Sequence, residues 1–114
     1  TREQWMALTR PMLKADGAGF KLHYDQQIAL PFRAMTPEMV VAGQAALWTG
    51  YDAIRCPTLL LRGADSDLLT RETAQAMTQR GPKARLHEFA DVGHAPTLVV
   101  PPQVAVVREF LLEA

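Results

Sequence analysis

The apolar positions along this chain change rhythm near residue 54. Upstream, Trp5, Leu8, Met12 and Leu13 recur near helical spacing and predict a helix over residues 1 to 15. Pro11 should kink or end that helix close to Arg10, because proline has no N–H for the ladder. Asp16-Gly17-Ala18-Gly19 reads as a turn, and Phe20 to Asp25 alternates like a strand or extended segment. His23 and Asp25 in that run read as residues that tether a surface loop, and Pro31 closes an irregular stretch. Thr36-Pro37-Glu38 opens a second helix: a hydroxyl cap, a proline at the first helical position, and an acid on the positive end of the dipole. This helix should turn Met39, Val40, Ala46 and Leu47 toward a core and end near Trp48-Thr49-Gly50. Trp48 and Tyr51 read as packing residues.

From residue 54 the pattern is that of an α/β unit. Thr58 to Arg62 is a continuous apolar run bounded by Pro57 and Gly63, as in a parallel strand buried on both faces. Thr70 can cap a helix over about Arg71 to Arg80, Gly81-Pro82 stops it, and Arg85 to Ala90 returns as a second strand. Strand, helix and strand with short connections make a βαβ unit. A last helix, about Pro102 to Leu112, should place Val104, Val107, Phe110 and Leu111 over the sheet.

Composition narrows the classes of function. Apolar residues at 48% and charged residues at 21% describe a globular chain, and 114 residues make one domain the natural count. Twelve basic and twelve acidic residues, scattered along the chain, favour neither nucleic acid nor an anionic membrane as a partner. Cys56 is the only cysteine, which excludes an internal disulfide and fits a cytoplasmic location. There is no apolar run of membrane-spanning length and no signal peptide, and the start at Thr1 suggests an excised or processed piece. His23, His87 and His94 show no metal-ligand spacing, and no phosphate-binding glycine loop implies a nucleotide cofactor; no cofactor and no metal are expected. His87 lies inside a strand-like run and reads as half-buried and structural.

The candidate chemistry lies in two loops. In open parallel sheets, sites form beyond the carboxyl ends of the strands. Gly63-Ala64-Asp65-Ser66-Asp67 leaves the first strand at that end, and Asp91-Val92-Gly93-His94-Ala95-Pro96 leaves the second. A carboxylate and an imidazole therefore reach the same sheet edge. A neutral imidazole can take and return a proton near pH 7, and a facing carboxylate orients it and stabilises the imidazolium.

The order Cys56-Pro57-Thr58-Leu59-Leu60-Leu61-Arg62-Gly63, then Ser66-Asp67, then Gly93-His94-Ala95-Pro96 resembles the C-terminal part of an α/β-hydrolase fold enzyme. The resemblance implies an α/β fold with a C-terminal βαβα part over residues 54–114, preceded over 1–53 by a mostly helical, cap-like segment. It also implies His94 as general base and then general acid. The commonest family pattern places an aspartate three residues after the strand-ending glycine, which here is Ser66. Asp67 is favoured as the acid, since a Ser-Asp-hydrophobe version of the loop occurs in relatives, and Asp65 is the alternative.

The family's nucleophile sits in a Gly-x-Ser-x-Gly elbow, which this chain lacks. Ser66, the only serine, lies in the acid loop, and Cys56 lies at the amino end of its strand. The chain thus supplies two members of a triad, and the isolated chain should not catalyse. The implied function is ester, acyl or C–C bond hydrolysis of a small-molecule substrate by a longer serine hydrolase. The alternatives are a non-catalytic binding or interaction module, and a piece of an aspartate-nucleophile dehalogenase or epoxide hydrolase. Met35, Met39, Trp48 and Tyr51 either line a pocket or pack a cap. Two parallel strands cannot satisfy both sheet edges, so the chain should self-associate.

Overall fold

The computed structural model describes residues 1–113. The chain divides into two compact units, Thr1–Val41 and Ala42–Ala114, with one helix (α3) running from the first into the second.

In the first unit, α1 (Arg2–Thr9) is capped by Thr1, whose hydroxyl accepts the Gln4 N–H at 3.3 Å. The predicted helix to residue 15 stops early. Pro11 falls in a 3₁₀ turn (Arg10–Met12), and the chain then extends as β1 (Leu13–Asp16). Gly17, with φ of +59°, closes a tight turn into β2 (Gly19–Leu22), which pairs antiparallel with β1 from Leu13↔Leu22 to Asp16↔Gly19. Residues 13–16 are thus a strand rather than helix, because the missing proline donor breaks the ladder and the glycine turn offers a hairpin. Asp25 accepts the Gln27 N–H at 2.9 Å and starts a 3₁₀ turn that leads into α2 (Ala29–Arg33). A short helix therefore replaces the irregular stretch expected around Pro31. Pro31 fits there because it sits in the first turn, where the N–H has no intrahelical partner. None of the side chains in this unit is buried.

The second unit begins within α3 (Pro37–Asp52), whose start follows the prediction: the Thr36 hydroxyl accepts the Met39 N–H at 3.3 Å. The helix continues past Gly50 because its last turn docks on the next helix, α4 (Arg71–Gln79). Tyr51 donates its hydroxyl to the Met77 carbonyl at 2.7 Å, and Arg80 grips the Asp52 carboxylate and lies 4.2 Å above the Trp48 ring. Trp48 and Tyr51 meet edge to face at 5.8 Å, so both pack against their neighbours. The Arg80 hydrogen bond holds the Asp52 carboxyl below the usual carboxylate range against the opposing effect of burial.

The sheet of this unit is β3 (Leu59–Gly63) paired parallel with β4 (Arg85–Phe89), in register from Leu59↔Arg85 to Gly63↔Phe89. Between them lies α4, capped by Thr70, which accepts the Thr73 N–H at 3.2 Å. Ala74 of α4 and Ala84 before β4 are the buried apolar residues. Leu59, Leu60 and Leu61 are only half-buried, unlike the doubly buried strand the apolar run suggested, because the two-stranded sheet lacks further cover. The last helix, α5 (Pro101–Glu113), shows a second shift. Gln103, Val106, Val107 and Phe110 form its covered stripe at i, i+3, i+4 and i+7, while Val104 and Leu111 are exposed. Buried Gln103 anchors this stripe by accepting the Leu98 N–H on Oε1 at 2.9 Å. No helix among the described residues is long and apolar enough to cross a membrane.

Candidate active site

The loop after β3 is held from below by a buried arginine. Arg62 ends the apolar run, and its guanidinium is 4% exposed. Its Nε donates to the Leu69 carbonyl at 2.7 Å, and its terminal nitrogens donate to the Ala64 and Ser66 carbonyls, each at 3.2 Å. The same group pairs with Glu88 of β4 at 2.5 Å, and Arg71 at the start of α4 pairs with the other Glu88 oxygen at 2.7 Å. Burial pushes the Glu88 carboxyl up, but the hydrogen bonds from Arg62 and Arg71 outweigh it and leave it below the ordinary carboxylate range. One guanidinium thus ties three carbonyls of residues 64–69 to the neighbouring strand.

The loop after β4 is tied to the first by backbone. The Ala64 N–H donates to the Phe89 carbonyl at 2.9 Å and the Asp65 N–H to the Val92 carbonyl at 3.0 Å. Asp91 takes φ of +55°, which an aspartate tolerates better than most residues, and the chain bends there toward residue 94. The approach is close enough to require glycine at 63. A Cβ there would lie 1.8 Å from the Gly93 carbonyl oxygen and 2.4 Å from that of Val92. At Gly93 itself an added Cβ would meet open space.

His94 sits at the sheet edge to which the sequence assigned it, and its side chain is exposed. Its Nδ1 lies 3.0 Å from the Ser66 hydroxyl oxygen, which also accepts the Leu69 N–H at 3.1 Å. Asp65 and Asp67 flank Ser66 in the same loop, and both are exposed. The group in hydrogen-bond contact with the imidazole is the serine between them. His87 is half-buried in β4 against Phe89, with ring centroids 4.5 Å apart, and Cys56 is exposed ahead of β3. Among the described residues no three His, Cys, Asp or Glu side chains converge as a metal site. An open hollow lined by Arg2, Glu3, Met6, Ala7 and Arg10 runs along α1 and contains none of the predicted site residues.

No family model matches the chain. The whole chain aligns at 49% identity with a 3-hydroxybutyrate-oligomer hydrolase from Cupriavidus necator, of which it spans 40%. It also superposes over its full length on a crystal structure of an alpha/beta hydrolase from Novosphingobium aromaticivorans. The TM-score is 0.75 at 32% identity, and 39% of that chain is covered. The chain has the fold of an α/β hydrolase over its whole length. A further relative, a pimeloyl-(acyl-carrier protein) methyl ester esterase from Aromatoleum aromaticum, is 41% identical over 58 residues, which is 51% of this chain and 23% of that protein. The chain thus spans less than half the length of each curated relative it matches, and in the first of them the matching region is the C-terminal part.

Three residues that shape this arrangement carry little local signal in the sequence. Ser66 is out of place for an elbow nucleophile, and the signal for its contact with His94 is its position three residues after the strand-ending glycine. Arg62 closes the apolar run as its one charged residue, next to the strand-ending glycine, and a charge in that position is the signal for it. Gly63 bounds the strand in the sequence, and its missing side chain is what lets the two loops meet.

Proposed function

We propose that this chain supplies the acid–base half of a serine-type hydrolase acting on ester bonds, with the nucleophile carried outside these 114 residues. The observation that carries the reading is the direct tie between the loops after β3 and β4, which brings His94 to the loop holding Ser66, Asp65 and Asp67. In this mechanism His94 Nε2 takes the proton of the nucleophile's hydroxyl as its oxygen attacks the ester carbonyl carbon. The imidazolium then gives that proton to the leaving alkoxide, and water repeats the cycle on the acyl-enzyme. Asp67, with Asp65 as the alternative, is the carboxylate whose charge favours the imidazolium. The 49% identity to a 3-hydroxybutyrate-oligomer hydrolase supports short oligomers of a hydroxy acid, joined by ester bonds, as the substrate class.

The test uses a protein that carries this chain together with a nucleophile-bearing portion. Turnover of a 3-hydroxybutyrate dimer and of p-nitrophenyl acetate is compared for wild type, His94→Ala, Asp67→Asn and Asp65→Asn. His94→Ala should lower kcat by about a thousandfold or more, and Asp67→Asn should cost more than Asp65→Asn. Full turnover in His94→Ala would remove the assignment.

A further inference from the structure

We propose that Ser66 is the positioning residue of His94, its hydroxyl occupying the Nδ1 side of the ring where a carboxylate is expected. This rests on the reading of His94 as the general base. A serine hydroxyl offers one donor and two acceptor lone pairs. The Leu69 N–H uses one lone pair at 3.1 Å, and the oxygen lies 3.0 Å from His94 Nδ1, within reach of a hydrogen bond. Accepting Nδ1–H there selects the tautomer whose Nε2 is bare and free to take a proton. The oxygen is placed by its surroundings rather than by its own flexibility. The Ser66 side chain is buried at 9% exposure, its N–H donates to the Gly63 carbonyl at 3.1 Å, and its carbonyl accepts from buried Arg62 at 3.2 Å. Two features separate this contact from incidental packing. Ser66 is buried while the carboxylates on either side of it are exposed, and the loop geometry that aims it depends on Gly63 lying against Val92 and Gly93. A neutral hydroxyl orients the ring without adding charge, which leaves charge stabilisation to a carboxylate that need not touch Nδ1.

The experiment runs on the same active protein, labelled with ¹⁵N-histidine, so that the two-bond ¹H–¹⁵N spectrum reports the protonated ring nitrogen of neutral His94. Wild type should show Nδ1–H as the major tautomer, Ser66→Ala should lose that bias, and Ser66→Thr should restore it. In turnover, Ser66→Ala should lower kcat between about twofold and tenfold, the range of one neutral hydrogen bond, with KM within about twofold and with recovery in Ser66→Thr. A wild-type spectrum dominated by Nε2–H would overturn the proposal and needs no variant that folds. So would a Ser66→Ala protein with unchanged tautomer and kcat. If His94→Ala stays active, the functional reading fails, while the tautomer measurement still decides whether Ser66 sets the ring.

Discussion

Gly63 shows how much one missing methyl can decide. Its backbone is not in the left-handed region, so the requirement is not conformational. It is steric, since the carbonyls of Val92 and Gly93 occupy the space a Cβ would need. Backbone atoms cannot rotate away as a side chain would. We therefore expect Gly63→Ala to destabilise the second unit by about 3 kcal/mol or more, read as a lower urea midpoint, while Gly93→Ala changes it by less than about 1 kcal/mol. Equal midpoints for the two variants would mean that the loops do not approach as described. In the sequence the glycine next to the histidine is Gly93, as the Gly-His motif reads. The contact that needs glycine lies one strand away, where no local pattern reveals it.

At the level of elements, the β3–α4–β4 unit was legible because each of its signals is local. The apolar run, the Thr70 cap and the Gly81-Pro82 stop all act within a few residues. Where the structure departs from the expected elements, pairing or docking with another segment sets the boundary. Residues 13–16 pair with 19–22 instead of continuing α1, and α3 extends to Asp52 because Tyr51 and Asp52 dock on α4. The pairing of Arg62 with Glu88 lies on the same level, since it joins β3 to β4 and clamps the intervening loop. Glu88 ionises more readily in the folded chain than in the unfolded one, where a glutamate titrates near about pH 4.3. Its stabilising contribution is thus complete above that value and is lost as the pH falls through the lower folded-state value. A urea midpoint that declines from about pH 5 toward pH 3 is expected, with a shallower decline in Glu88→Gln. Identical pH profiles would show that the Arg62–Glu88–Arg71 cluster contributes nothing to acid stability. Arg62→Met should cost about 3 kcal/mol at neutral pH, because it strands three loop carbonyls and leaves one Glu88 oxygen without its partner.

For the molecule as a whole, the sheet of the second unit is the limiting feature. Two parallel strands leave hydrogen-bonding groups free on both outer edges, and Leu68, Leu111 and Leu112 are largely exposed within the same unit. We expect the 114-residue chain by itself to associate, giving a mass above the monomer by light scattering at tens of micromolar; a clean monomer would contradict this. The sequence by itself determined the α/β class, the element order from residue 54 onward, and the arrival of the 65–67 loop and His94 at one sheet edge. Those features follow from chain connectivity and from signals a few residues long. Tertiary structure decided the finer points: that the hydroxyl of Ser66 meets Nδ1, that Arg62 turns back under the loop, and that Gly63 must be bare. In a loop, neighbouring side chains point in different directions. Which of Asp65, Ser66 and Asp67 faces the histidine is set by backbone bonds to Phe89 and Val92, residues that arrive from another strand.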